Sequence, residues 1–169
     1  MRKLELILIR HGQSEANIGQ SSDPDCPLTP LGVEQSRAAG ARLRNLGMDR
    51  SFTGVVSPYR RAQQTAAEIA SATGLSFEVD DRIREWGPPA IIAEKVFREE
   101  TDDDLRHRIL HFLTHRAGKL VVVSHGSPIG LITQLAVGVR PPKIDPSLWL
   151  DVENCCLRWL IVPADLAYS

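Results

Sequence analysis

Two short apolar runs constrain this chain more than anything else in it: Leu4 to Ile9, and Lys119 to Ser124 with its three consecutive valines. A brief run without polar alternation, bounded by turn residues, reads as a strand buried on both faces, the kind found in parallel sheets covered by helices. Both runs end alike. Arg10-His11-Gly12 closes the first and His125-Gly126 closes the second. Parallel strands bring their carboxyl ends to one edge of the sheet, and in open α/β sheets ligands bind at that edge. Each glycine permits close approach of the backbone to a ligand.

The rest of the chain alternates helix and strand signals. Ser21 to Pro27 is a loop, and Thr29-Pro30 opens a helix with a cap and an N1 proline, ended by Gly47. Phe52 to Val56 is a short β-like run. Ser57-Pro58 starts a second helix, with Ala62, Ala66, Ile69 and Thr73 at helical spacing before Gly74. Leu75 to Val79 reads as a third strand, and Asp80 to Glu100, containing Trp86-Gly87-Pro88-Pro89, as irregular. Helix resumes near Asp102, where the run Asp102-Asp103-Asp104 supplies the N-cap and favourable charge. Another helix spans about Pro128 to Gly138, and Cys155 to Val162 is the last strand. The pattern predicts an α/β fold of three layers, a mostly parallel central sheet with helices on both faces. The 169 residues suit a single domain, 1–169, with a short lid-like segment at about 86–100.

Charge narrows the partners. With 20 Lys and Arg against 21 Asp and Glu, the net charge of -1 gives no long-range field favouring nucleic acid or an anionic membrane. Any anion site is local. Glu5 interrupts the only stretch resembling a signal peptide, and nothing else approaches a membrane span. Cys26, Cys155 and Cys156 are an odd number, with the adjacent pair expected in a buried strand, which fits reduced thiols and a cytoplasmic chain. Oligomeric state is not legible from these residues.

Chemistry is suggested by residue type and placement. Arginine offers a rigid fork of donors matched to phosphate or carboxylate, and a neutral imidazole beside it can act as nucleophile or base. The segment Ser57-Pro58-Tyr59-Arg60-Arg61-Ala62-Gln63-Gln64-Thr65 adds two arginines at a helix start, where free amides and the macrodipole already favour an anion. One of the two is expected to point inward. Together these residues suggest phosphoryl chemistry.

At this point the chain resembles the histidine phosphatase superfamily, also called the phosphoglycerate mutase-like family, from Leu4 to about Leu160. Arg10-His11-Gly12-Gln13-Ser14-Glu15-Ala16-Asn17 is similar to the family's opening signature, and Pro27-Leu28-Thr29-Pro30-Leu31-Gly32 to its second turn and helix start. The serine, three residues, Arg-Ala pattern selects Arg61 rather than Arg60 as phosphate ligand. Ile83-Arg84-Glu85 resembles the segment bearing the acid, Val123-Ser124-His125-Gly126 the second histidine motif, and Asn154 the residue before the last strand. Two positions depart from the pattern. Trp86-Gly87-Pro88-Pro89 follows Glu85 directly where relatives carry a glycine-containing segment ending Trp-Glu-Gly, leaving Glu99 and Glu100 as other carboxylates in reach. Gly130 stands where many relatives have arginine.

The resemblance implies a metal-independent phosphomonoesterase without cofactor, acting on a small phosphate monoester or a phosphoprotein. His11 would attack phosphorus and become phosphohistidine. Arg10, Arg61 and a protonated His125 would stabilise the equatorial oxygens, and Glu85, its pKa raised by burial, would protonate the leaving group. Gln13, Ser14, Asn17 and Gly126 would add phosphate contacts. A phosphohistidine-protein phosphatase, a phosphoglycerate mutase and a non-catalytic phosphate-binding module are the other readings. The lid offers Lys95 and Arg98 against Glu94, Glu99 and Glu100, which disfavours polyanionic substrates, while Trp86, Ile91, Ile92 and Phe97 suggest a hydrophobic or aromatic substrate body. His107, His111 and His115 recur every four residues opposite Leu105, Ile109 and Phe112, so they are expected to face solvent rather than hold a metal. Trp149 and Trp159 read as core or rim packing.

Overall fold

Leu4–Arg10 (β1) is buried almost throughout, and its alternate side chains feed two different cores. The computed structural model, which describes residues 4–139 and 153–162, puts Leu4, Leu6 and Leu8 in one core and Ile7 and Ile9 in the other. That is the period-two geometry of a strand covered on both sides. The further strands are Thr53–Val56 (β2), Phe77–Val79 (β3), Ala90–Ile92 (β4), Lys95–Phe97 (β5), Gly118–Ser124 (β6) and Leu157–Val162 (β7); the helices are Pro30–Asn45 (α1), Arg60–Thr73 (α2), Asp102–Thr114 (α3) and Gly126–Ala136 (α4). Leu43 of α1 and Ala62, Ala66 and Ile69 of α2 fill one core; Leu105, Ile109 and Phe112 of α3 and Ile129, Ile132 and Leu135 of α4 fill the other. The main sheet runs β3-β2-β6-β1-β7, parallel except for β7, which is antiparallel to β1 at the edge. The predicted three-layer α/β fold is therefore present.

Register places the histidines. In the β1–β6 pairing Arg10 lies opposite Ser124, and the His11 amide donates to the Ser124 carbonyl at 3.0 Å. His11 and His125 therefore leave the sheet side by side. Ser57 follows β2 at the same edge, its amide donating to the Val123 carbonyl at 3.0 Å.

Several expected details change. The last strand begins at Leu157, not Cys155: Cys155 sits in a turn at φ 57°, and both Cys155 and Cys156 are half-buried rather than enclosed in a strand. All three cysteines are free thiols. The stretch expected to be irregular contains the β4–β5 hairpin, whose turn residues Ala93 and Glu94 both have positive φ. Such a turn normally advertises itself through Asn or Gly, and here neither is present. Thr101, not the aspartate run, caps α3: its hydroxyl accepts from the Asp104 amide, and the Asp104 carboxylate accepts from the Thr101 amide. Trp159 is a rim residue, 53% exposed, and Trp149 lies outside the described residues. Among the described residues no helix is long and apolar enough to cross a membrane.

A charged network closes the sheet beyond β3. Asp80 accepts from Arg82 at 2.6 Å and from Arg116, beyond the end of α3, at 2.6 Å. Burial pushes the Asp80 carboxyl up, but the two guanidinium groups outweigh it and hold the group at about 2, against 3.8 ordinarily. A depressed carboxyl stabilises the fold above its unfolded value and loses that contribution as pH falls through its folded value. Acid titration of stability is thus expected to show a loss of up to about 2 kcal/mol between pH 3.8 and about 2. In denaturant melts across this window, Asp80→Asn should flatten the decline.

Candidate active site

The loop after β1 is shaped by two glycines in near contact. A Cβ on Gly12 would stand 2.3 Å from the Gly32 carbonyl oxygen, and one on Gly32 only 2.0 Å from the Gln13 oxygen. No side chain fits at either crossing, so the loop lies directly on the first turn of α1. Thr29 caps that helix by accepting from the Gly32 amide at 3.1 Å, while its own amide donates to the Gln13 carbonyl at 2.9 Å. The backbone around His11 is held from two further directions. The Gly12 amide donates to Thr65 Oγ1 of α2 at 3.0 Å, and Asn154 Nδ2 donates to the His11 carbonyl at 2.8 Å. The Cys155 amide, in its left-handed turn, donates to the Arg10 carbonyl at 2.9 Å.

This scaffold fixes the chemistry of the His11 ring. His11 is 2% exposed, and its Nδ1 lies 2.7 Å from the Gly12 carbonyl oxygen. A carbonyl can only accept, so Nδ1 carries the proton. Nε2 therefore holds a lone pair, and it accepts from Arg61 Nε at 3.1 Å. Burial first, then the Arg61 charge, push the His11 pKa well below 6.5; the Gly12 bond opposes them, and the Arg10 charge adds a smaller lowering. A neutral imidazole with an unprotonated Nε2 is the nucleophilic form.

Arg61 is the inward arginine of the pair, 8% exposed, whereas Arg60 is exposed. Its guanidinium stacks over the Tyr59 ring at 4.5 Å and donates through Nη1 to the Pro24 carbonyl at 2.5 Å. His125 is fully buried, 5.0 Å from His11 and 4.9 Å from Tyr59 between ring centroids. Its Nε2 is hydrogen-bonded to Ser57 Oγ at 2.7 Å, and its Nδ1 has no hydrogen-bond partner among the described residues. Burial, Arg61 and His11 push its pKa well below 6.5, a direction that favours the neutral ring over the cation expected from the sequence. Arg10 and Arg61 supply the positive charge here. Tyr59 and Ser57, whose individual roles the sequence reading missed, frame these groups; an aromatic directly before an arginine pair at a helix start was the available signal.

The remaining candidates divide. Glu85 is half-buried, with Oε1 accepting from the Trp86 amide at 2.9 Å, and its charge raises the Arg10 pKa against the larger lowering by burial. It is thus within electrostatic reach of the cluster. Glu100 is not an alternative acid, because both oxygens are taken by Arg84 and Arg108 in an ion-paired triad. Glu99 is exposed. Gly126 begins α4 directly after His125, at the end of a helix where amides favour an anion. Ser14 is buried with its hydroxyl donating to Asn17 Oδ1 at 3.1 Å, and Gln13 Oε1 accepts from Thr29 at 2.9 Å. Those polar groups shape the loop and are partly committed to it. Of the lid hydrophobics, Ile92 is used internally, packing with Ala90 and Phe97 on Tyr59, whereas Ile91 and Phe97 line a cavity of about 400 Å³ with Pro24, Pro89 and Val96. His107, His111 and His115 are exposed, and among the described residues no group of three or more His, Cys, Asp or Glu could hold a metal ion.

Comparison with known proteins gives this arrangement a family. Residues 6–111 match the histidine phosphatase superfamily (branch 1), and the chain belongs to that superfamily. It is 37% identical over 84 residues to a Yersinia pestis protein named probable phosphoglycerate mutase GpmB, a match covering 48% of this chain and 38% of that protein. The chain thus spans well under half the length of the curated relatives it matches. Its fold is similar to a mycobacterial glucosyl-3-phosphoglycerate phosphatase, with TM-score 0.67 and 22% identity over 95% of this chain and 91% of the other. It is also similar to a phosphoserine phosphatase from Entamoeba histolytica, with TM-score 0.64 and 17% identity over 92% and 89% of the two chains.

The two buried histidines carry a testable pH signature. Unfolded histidines take up protons near 6.5 that the folded His11 and His125 refuse, so stability falls as pH drops below that value. Histidine ring resonances followed by NMR should show the His11 and His125 rings staying neutral through that range. A His125 signal titrating at or above 6.5 would restore the cationic reading.

Proposed function

We propose that this chain is a phosphomonoesterase that works through a phosphohistidine intermediate on His11. The observation carrying the proposal is the pairing of a proton on Nδ1, fixed by Gly12, with a lone pair on Nε2 directed at the Arg61 guanidinium. In the first displacement, Nε2 attacks phosphorus in line, the ester P–O bond breaks, and the leaving oxygen takes a proton from Glu85. In the second, Glu85 accepts a proton from water, the water oxygen bonds to phosphorus, and the P–N bond breaks to free His11 and inorganic phosphate. Arg10 and Arg61 balance the charge on the equatorial oxygens, which makes a metal unnecessary for that task. With Ser57 donating its hydroxyl proton to Nε2 of His125, Nδ1–H of that ring becomes a further neutral donor.

The likeness to a phosphoglycerate mutase favours a second reading, in which the phosphoryl group returns to the substrate instead of passing to water. Product analysis separates the two: free phosphate from hydrolysis, an isomeric ester from mutase action. With p-nitrophenyl phosphate in EDTA, phosphate release is expected to persist in the wild type and vanish in His11→Ala. Arg61→Ala should lower kcat by about 10²–10³, as for other preorganised donors. Glu85→Gln should slow esters with poor leaving groups far more than p-nitrophenyl phosphate, whose phenolate leaves without a proton. Metal dependence, or full activity in His11→Ala, would contradict the proposal.

A further inference from the structure

Beside the histidine cluster lies a cavity of about 490 Å³ whose walls include Glu85, Trp86, Pro88, Glu99, Glu100 and Ser127. Its link to the site runs through two lining residues: Ser127 is in the first turn of α4, two residues after His125, and Glu85 is the acid that the proposed mechanism sets at the leaving oxygen.

The lining decides what fits there. Trp86 packs against the helical core, and its indole N–H is spent on the Glu100 carbonyl at 3.1 Å, so what it offers the cavity is aromatic surface without a donor. The Glu100 carboxylate is neutralised by Arg84 and Arg108 and is only 7% exposed. Those two guanidinium groups are consumed in turn, and among the described residues no Lys or Arg besides them borders the cavity. What remains is an aromatic face, the hydroxyl of Ser127 and the acceptor oxygens of Glu85 and Glu99. A leaving group bearing a carboxylate or second phosphate would meet acceptors with no donor cation. One bearing an ammonium would hold Glu85 ionised and remove the proton the departing oxygen needs. A neutral polyol with one C–H face satisfies both conditions: its hydroxyls donate to the Glu99 carboxylate, its C–H face stacks on the indole, and Glu85 keeps its proton for the departing oxygen.

Building on the phosphomonoesterase reading, we propose that the substrate class is the phosphate monoester of a neutral sugar, selected by Trp86 and Glu99. Trp86 and Glu99 are then specificity residues that contact the alcohol portion.

The test compares kcat/KM for glucose 6-phosphate and ribose 5-phosphate with that for 3-phosphoglycerate and O-phosphoethanolamine. The sugar phosphates are expected to lead by about tenfold or more. Trp86→Ala should erase the lead and Trp86→Phe should retain most of it, while Glu99→Lys should raise 3-phosphoglycerate relative to the sugars. Wild-type hydrolysis of p-nitrophenyl phosphate reads the parent proposal separately. Calorimetric titration of His11→Ala with the same four esters reads recognition without turnover, so loss of one proposal is distinguishable from loss of the other. Equal or reversed preference in both rates and binding, or a ratio unmoved by Trp86→Ala, overturns the assignment.

Discussion

The parallel register of β1 and β6 is the constraint on which the site depends. Pairing Arg10 with Ser124 makes residues 11 and 125 the first to leave each strand, and it does so at a sheet edge already buried by helices on both faces. A slip of one residue would exchange the two cores and carry one histidine out of reach of the other. The many valine, leucine and isoleucine side chains in these strands thus do more than stabilise the fold: they fix the separation of the two rings at 5.0 Å.

Burial then determines protonation. Desolvation, with two nearby guanidinium groups, makes the charged form of either histidine costly, so the site separates its roles. Fixed cations come from arginine, which cannot be discharged, and the proposed nucleophile is an imidazole whose charged form burial disfavours. The Gly12 carbonyl completes this by choosing the tautomer. Backbone geometry at Gly12 and Gly32, where no Cβ fits, therefore reaches through to the lone pair on Nε2.

Much of this was legible in the sequence because it rests on local signals: unbroken apolar runs for β1 and β6, Thr29-Pro30 for the start of α1, Gly74 for the end of α2. Arg61 could be chosen over Arg60 only through the likeness to the family's Arg-Ala pattern, and the structure buries Arg61. What escaped depends on tertiary contacts. The β4–β5 turn uses Ala93 and Glu94 in left-handed conformations that no local signal announces. Ile92 reads as a substrate wall until it is seen buried against Tyr59. The protonation of His125 depends on burial by distant elements, and the removal of Glu100 as an acid depends on Arg108, eight residues away on α3.

The central claim is that His11 Nε2 forms the covalent bond to phosphorus. Rapid quenching of the wild-type protein during turnover of p-nitrophenyl phosphate, under alkaline conditions that preserve phosphohistidine, followed by peptide mass spectrometry and phosphorus NMR, addresses it directly. The account predicts a single acid-labile phosphoryl group on Nε2 of His11. A group on Nδ1 or on His125, or turnover with no phosphoenzyme on any rapid-quench timescale, would contradict it.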